Sequence, residues 1–162
     1  MSGDTAVLHT LHPGDVCLAT RGDRLETLLG SCVAIVLTDP RRTVAAMCHF
    51  VHAGQVDAGT AAATTCAGPA LQRMCALLVG CGITPQLCDA YVYGGGDMYP
   101  VRDGGTSVGG QNQAWALQAL QRLGARVLVA DLGGMRARKL RWTVGPDAPQ
   151  AITVPAWEST CP

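Results

Sequence analysis

Short apolar stretches alternate with turn residues along the first third of the chain. They are rich in Val, Ile, Leu and Ala, and turn signals such as Asp39-Pro40 separate them. Short apolar runs bounded by turn residues are typical of β-strands. The pattern predicts strands over residues 15–20, 25–29, 31–37 and 44–51, followed later by strands over 90–93, 126–132 and 139–144.

Two later segments show the spacing of amphipathic helices. In the first, apolar residues recur at i, i+3, i+4 and i+7, and glycines follow as stop signals. The second is predicted to begin with Asn112 as its cap and to end at Gly124. The predicted apolar faces are Leu71, Met74, Cys75 and Leu78 in the first helix and Ala116, Leu117, Leu120 and Leu123 in the second.

Strands and two helices, with no internal repeat or linker, predict a single-domain α+β (mixed α/β) fold. The chain has 162 residues, of which 48% are hydrophobic and 15% charged, which suits one compact core. We expect that core over about residues 12–145, with a proline-rich, weakly patterned tail over 146–162.

Charge and hydropathy exclude two classes of partner. Twelve basic and twelve acidic side chains cancel, and no run of Lys or Arg offers a stripe for a phosphate backbone, so no nucleic acid is expected. The first twenty residues lack a basic segment followed by a continuous apolar run, and no stretch approaches the roughly 20 apolar residues of a membrane span. We therefore expect a cytoplasmic protein.

The eight cysteines follow no disulfide framework, and no C-x-x-C occurs. Most are expected to be small buried hydrophobes in a reducing compartment, and no metal site is predicted. Gly94-Gly95-Gly96-Asp97 lacks the Lys and Ser/Thr of a phosphate loop, so no cofactor is predicted either.

Cys32 and His49 are the residues that suggest chemistry. Cys32 follows Gly30-Ser31 at the start of a predicted strand, where a bent backbone leaves amide N–H groups to stabilise an oxyanion. His49 lies seventeen residues later on what should be the adjacent strand, and a histidine beside a cysteine favours the thiolate. The residues alone leave the alternative open that Cys32 is a core residue and His49 a structural histidine.

The order and spacing of five motifs resemble the CheD family of chemoreceptor glutamine deamidases, across roughly residues 12–145. The motifs are Leu29-Gly30-Ser31-Cys32-Val33-Ala34, His49-Phe50, Tyr93-Gly94-Gly95-Gly96-Asp97-Met98, Val108-Gly109-Gly110-Gln111-Asn112, and Asp131-Leu132-Gly133-Gly134 with Arg138.

The resemblance implies an α/β/β layered fold with Cys32 as nucleophile and His49 as general base. It implies glutamine amides of methyl-accepting chemotaxis receptors as substrates, with methyl esters hydrolysed by some members, and only peripheral contact with those membrane-bound receptors. Residues assigned by the resemblance to the oxyanion site and substrate rim are Gly30, Ser31, Gly95 and Asn112.

The resemblance also implies a threonine that orients the histidine. Thr27 lies five residues before Cys32 and Glu26 six before it, and neighbours on a strand face opposite sides. We favour Thr27, because a buried carboxylate is costly. Two departures concern the substrate rim: His52-Ala53-Gly54 replaces the family's Leu-Pro, and Gly96-Asp97 replaces an alanine followed by a small or polar residue.

Two other functions stay open at this point. The chain would act as a regulator if its main task were docking on a CheC-type chemotaxis phosphatase, although a binder needs neither Cys32 nor His49. A peptidase or transglutaminase would use the same Cys-His pair.

Overall fold

The computed structural model describes residues 5–53, 63–98 and 105–155. Within these described ranges, nine strands form two sheets. They are β1 (Leu8–Leu11), β2 (Val16–Thr20), β3 (Arg24–Leu29), β4 (Val33–Thr38), β5 (Val44–Phe50), β6 (Asp89–Gly94), β7 (Arg126–Leu132), β8 (Arg138–Thr143) and β9 (Gln150–Thr153). Helices α1 (Ala67–Gly80) and α2 (Val108–Leu123) complete the fold, with short 3-10 turns at Ala63–Thr65 and Pro85–Leu87.

The elements stack as three layers, in the order helices, five-stranded sheet and four-stranded sheet. The central sheet has the strand order β2-β5-β4-β6-β7, and the outer sheet has the order β1-β3-β8-β9. Strand β4 lies at the centre and is antiparallel to both β5 and β6. The predicted α+β class and the α/β/β layering are therefore confirmed.

Strand alternation divides the core into two layers. Val33, Ile35 and Leu37 of β4 face the helices and pack with residues such as Met74 and Leu120. The intervening residues of β4 face the outer sheet, where the buried side chains include Ala34, Val36, Leu25, Leu29, Leu140 and Trp142. Because β4 is buried on both faces, its sequence is a continuous apolar run rather than an alternation.

The second helix begins earlier than predicted. Its cap is Ser107, whose Oγ accepts a hydrogen bond of 2.9 Å from the backbone N–H of Gly110, and Asn112 lies inside the helix. Gly109 and Gly110 are poor helix formers, which concealed this first turn in the sequence. The buried face also differs, because it includes Gly109 and Asn112 whereas Leu117 is 41% exposed.

Two strands at the ends of the described chain were not predicted. Strand β1 pairs in parallel with β3, and β9 pairs antiparallel with β8 inside the segment expected to be a tail. Both are edge strands of the outer sheet and mostly exposed, so neither has the apolar run that indicates a strand. Residues 156–162 of the predicted tail lie outside the described residues.

Candidate active site

Cys32 lies in a turn between the two sheets. The predicted strand over residues 31–37 begins only at Val33, so Gly30, Ser31 and Cys32 form the turn that joins β3 of the outer sheet to β4 of the central sheet. Cys32 is 0% exposed and packs in the layer between the sheets. We call residues 30–32 the nucleophile turn, after the role that the resemblance implies for Cys32.

His49 reaches the same layer from β5. It is 1% exposed and lies opposite Ala34 of β4, two residues along from Cys32. Residues directly opposite on antiparallel strands share a face, and their diagonal neighbours on that face are within reach of long side chains. Cys48 points the other way, into the core beneath the helices.

Thr27 of the outer sheet meets the imidazole of His49. Its Oγ1 lies 2.7 Å from Nδ1 of His49 and 2.8 Å from the carbonyl oxygen of Leu11. The carbonyl only accepts, so the hydroxyl hydrogen goes to Leu11 and Oγ1 accepts from Nδ1–H. This arrangement assigns the neutral ring the tautomer with an unprotonated Nε2, the atom that accepts a proton.

Glu26 does not enter this layer. Its neighbours Leu25 and Thr27 are buried toward the central sheet, so its side chain lies on the outer face of β3. There its Oε1 is 3.8 Å from Nε of Arg141 on β8. Of the two residues weighed as orienter, the structure brings only Thr27 to the histidine.

A glycine loop, residues 94–96, holds the nucleophile turn by its carbonyls. The backbone N–H of Gly95 donates to the carbonyl of Cys32 at 2.8 Å, and that of Gly96 donates to the carbonyl of Gly30 at 2.9 Å. Gly94 has φ +112°, and a Cβ there would lie 2.2 Å from the oxygen of Cys32. This contact requires glycine at position 94.

The segment between β7 and β8 supports the glycine loop from behind. The N–H of Gly133 donates to the carbonyl of Gly94 at 2.9 Å, and the carbonyl of Gly134 accepts from Asp97 at 2.7 Å. Arg138 fixes this segment through the carbonyls of Asp131 and Gly133 and the Asp131 carboxylate. Arg138 is therefore buried, at 5% exposure.

Helix α2 supplies a second support of the nucleophile turn. A Cβ on Gly109 would lie 2.2 Å from the oxygen of Gly96, so this glycine lets the helix approach the loop. One turn later, Nδ2 of Asn112 lies 2.9 Å from the carbonyl of Ser31 and 2.8 Å from that of Val51. Both amide hydrogens of Asn112 are thus used by protein carbonyls, and none is left for a substrate oxygen.

Other cysteines are unsuited to act as thiolates near neutral pH. Burial raises the pKa of Cys48 to about 12, and burial together with Asp15 raises that of Cys17 to about 11. Burial, with a smaller contribution from Asp39, raises the pKa of Cys88 to about 11. A thiol is nucleophilic only as its anion, so the raised pKa values disfavour these three as nucleophiles near neutral pH.

A Cys-His contact outside the layer of Cys32 and His49 lies on the helix side. Sγ of Cys66, at the N-cap of α1, is 3.5 Å from Nδ1 and 3.6 Å from Nε2 of His52. His52 is exposed. Residues 54–62, which lie between these two residues in the sequence, are outside the described part of the chain.

Neither a metal cluster nor a membrane span was found in the described residues. Within 5–53, 63–98 and 105–155, no three or more His, Cys, Asp or Glu side chains are grouped so as to hold a metal ion. Neither described α-helix is both long and apolar enough to cross a bilayer.

The layered fold has a counterpart among solved structures. A Neisseria meningitidis protein of the DUF152 family superposes with a TM-score of 0.52 at 16% identity, over 81% of this chain and 65% of that chain. At this identity the likeness concerns the fold alone.

The family follows from closer sequence relatives. The family model described as CheD chemotactic sensory transduction matches residues 53–146, which include the glycine loop and α2 but not Cys32 or His49. A Geobacter sulfurreducens protein named probable chemoreceptor glutamine deamidase CheD 2 is 34% identical over 80% of this chain and 79% of its own length. A like-named Albidiferax ferrireducens protein is 33% identical over 83% of this chain and 80% of its own. The chain belongs to the CheD family.

Proposed function

We propose that this protein hydrolyses the side-chain amides of specific glutamines in methyl-accepting chemotaxis receptors, giving glutamate and ammonia in the cytoplasm. Relatives that align with four fifths of the chain carry the name chemoreceptor glutamine deamidase. The observation that carries the chemistry is the contact of Thr27 with His49, which presents a basic Nε2 in the layer that holds Cys32.

The proposed reaction passes through a thioester on Cys32. His49 Nε2 takes the thiol proton as Sγ attacks the amide carbon, and then gives that proton to the departing ammonia. Water next loses a proton to Nε2 and attacks the thioester carbon, which releases glutamate and restores the thiol. No cofactor is required, because the net reaction consumes only the amide and one water.

The oxyanion donors in this proposal are the backbone N–H groups of Ser31 and Cys32. In a trans peptide the N–H and the preceding C=O point in opposite directions. The carbonyls of Gly30 and Ser31 are held by the glycine loop and Asn112, which directs these two N–H groups to the opposite side. Donors fixed in this way stabilise a developing oxyanion without reorganising during the reaction.

Gly95 and Asn112 support the site indirectly in this proposal. The N–H of Gly95 and both amide hydrogens of Asn112 are bonded to carbonyls of the protein, so neither residue has a donor left for the oxyanion. Their contribution is to hold the carbonyls of Cys32 and Ser31. Docking on a CheC-type phosphatase and hydrolysis of methyl esters stay predictions, because they rest on the resemblance alone.

The test is incubation of the protein with the cytoplasmic part of a methyl-accepting receptor. We expect ammonia release and a gain of about one dalton for each converted glutamine, as amide hydrolysis requires. Cys32→Ala should abolish both signals while leaving the fold intact, because the thiol forms the covalent bond and alanine changes little volume.

Cys48→Ala is the matched control, since Cys48 is equally buried but faces the helices. It should retain deamidation. Ammonia release that persists in Cys32→Ala would contradict the assignment of the nucleophile. Cleavage of the receptor chain, or incorporation of an amine in place of ammonia release, would instead identify a peptidase or a transglutaminase.

A further inference from the structure

Asn112 occupies an unusual position for a polar side chain. It is 0% exposed and lies on the buried face of α2, one turn before Ala116 and two before Leu120. Its Oδ1 has no hydrogen-bond partner among the described residues. A small apolar residue would suit this face without burying an unpaired acceptor, so the asparagine has to serve a purpose other than packing.

The two carbonyls that Asn112 binds flank the two strands of the candidate pair, one before β4 and one after β5. Ser31 immediately precedes Cys32, and Val51 follows His49 by two residues. The ladder between β4 and β5 ends at Val33 and Phe50, and its continuation would place Cys32 opposite Val51. The asparagine amide therefore connects the two strands just beyond their last ladder pair.

We propose that Asn112 is a positioning residue that holds the nucleophile turn against the strand of His49, and so sets the separation of Sγ and Nε2. The inference rests on the proposed roles of Cys32 and His49. Both partners of Asn112 are carbonyl oxygens, which lie 2.9 and 2.8 Å from its Nδ2. A single atom that donates to both of them has to be a nitrogen that carries at least two hydrogens, as the side-chain amide does. Their distance from Asn112 along the chain, 81 and 61 residues, shows that the link is tertiary.

The rigidity of α2 makes this link effective. The helix is fixed next to the site by the Ser107 cap and by the close approach of Gly109 to the glycine loop. A displacement of about 1 Å between reacting groups costs up to roughly 100-fold in rate. Loss of the Asn112 side-chain amide should therefore have a large effect on the reactivity of Cys32 and a small effect on the stability of the fold.

The experiment measures alkylation of Cys32 by iodoacetamide between pH 6 and 9, together with Tm. The variants are Asn112→Ala, which removes the amide, and Asn112→Asp, which keeps the volume but points oxygens at both carbonyls. The control is Leu120→Ala, which creates a cavity on the same buried face of α2. Alkylation needs no receptor, so the result does not depend on the identity of the substrate.

We expect Asn112→Ala to slow the alkylation of Cys32 at neutral pH at least tenfold and to shift its pH profile upward. Asn112→Asp should be slower still, because repulsion replaces attraction. Leu120→Ala should lower Tm and leave the alkylation rate within about twofold of the unmodified protein. If either Asn112 variant fails to fold, Asn112→Ser, which keeps one donor, takes its place. Its alkylation rate should lie between that of the unmodified protein and that of the Asn112 variant that folds.

A purely structural role would produce a different pattern. Asn112→Ala and Leu120→Ala would then slow alkylation equally for an equal loss of Tm, or Asn112→Asp would react faster than Asn112→Ala because it fills the space. Either result overturns the positioning role. Failure of the unmodified protein to deamidate a receptor, with the alkylation pattern as expected, would overturn only the proposed function.

Discussion

His49 and His52 are three residues apart, and the cysteines near them differ in setting. His49 lies between two sheets in the layer of Cys32, and Thr27 selects its tautomer. His52 lies on the helix side, is exposed, and approaches Cys66 with its two ring nitrogens at 3.5 and 3.6 Å. Because the two distances are nearly equal, the contact with Cys66 does not select one tautomer of the His52 ring.

The comparison teaches that a cysteine near a histidine does not by itself make a catalytic pair. The site between the sheets adds a threonine that contacts the ring of His49, and a backbone turn whose three carbonyls are held by the glycine loop and Asn112. These additions determine which nitrogen is basic and where the amide N–H groups point. The contact of Cys66 with His52 should therefore be catalytically silent.

The largest expected effect separates the two histidines directly. We expect His49→Ala to reduce receptor deamidation about 1,000-fold or more, because it removes the proposed general base. His52→Ala should stay within about threefold of the unmodified enzyme, since His52 is exposed and lies on the helix side. Initial rates of ammonia release measure both. A comparable loss of deamidation rate in the two variants would contradict the distinction between His49 and His52.

The next effect is a difference in thiol reactivity. We expect iodoacetamide to label Cys32 faster than the other seven cysteines near neutral pH, because His49 favours its thiolate. Cys48, with a pKa raised to about 12, should react on the order of 100-fold more slowly. A raised thiol pKa reduces the thiolate fraction at every pH below it, so labelling of Cys48 should become appreciable only when the solution is strongly alkaline.

Peptide mapping after brief labelling measures these rates, with the exposed Cys81 as the internal reference for an accessible thiol. Cys66 tests the comparison most directly, because it contacts a histidine outside the proposed site. Labelling of Cys66 ahead of Cys32 would contradict the assignment of Cys32 as the activated thiol. Labelling of Cys32 no faster than Cys81 would show that His49 does not activate it.

Local patterns predicted the strands that carry the site. The apolar runs gave β3, β4 and β5, and the alternation along β5 places Cys48 and His49 on opposite faces. These features depend only on residues close together in the sequence. The layered arrangement followed from the family resemblance.

Features that depend on distant parts of the chain were not predictable. The carbonyl of Leu11 accepts from Thr27 because an exposed edge strand pairs in parallel with β3, and no apolar run indicated that strand. By residue type Asn112 suits a helix cap, and Gly109 and Gly110 before it are poor helix formers. Gly109 is nevertheless required by its contact with the glycine loop, which is visible only in three dimensions.

The smallest expected effect concerns the residue that fixes His49. Thr27→Val keeps the shape of the side chain but removes the hydroxyl between the Leu11 carbonyl and Nδ1 of His49. The ring then loses the contact that selects its tautomer, and we expect kcat to decrease roughly tenfold, about 1.4 kcal/mol of transition-state stabilisation. Thr27→Ser, which retains a hydroxyl, should recover most of that loss.

Glu26→Gln is the matched control on the neighbouring residue. Its carboxylate lies on the outer face, 3.8 Å from Arg141, in a partly exposed ion pair of a kind that contributes about 0–1 kcal/mol to stability. We therefore expect kcat within about twofold of the unmodified enzyme. Steady-state deamidation rates for the three variants decide between the residues. A tenfold loss in Glu26→Gln with none in Thr27→Val would assign the orienting role to the glutamate, and the contact of Thr27 with His49 would then be only structural.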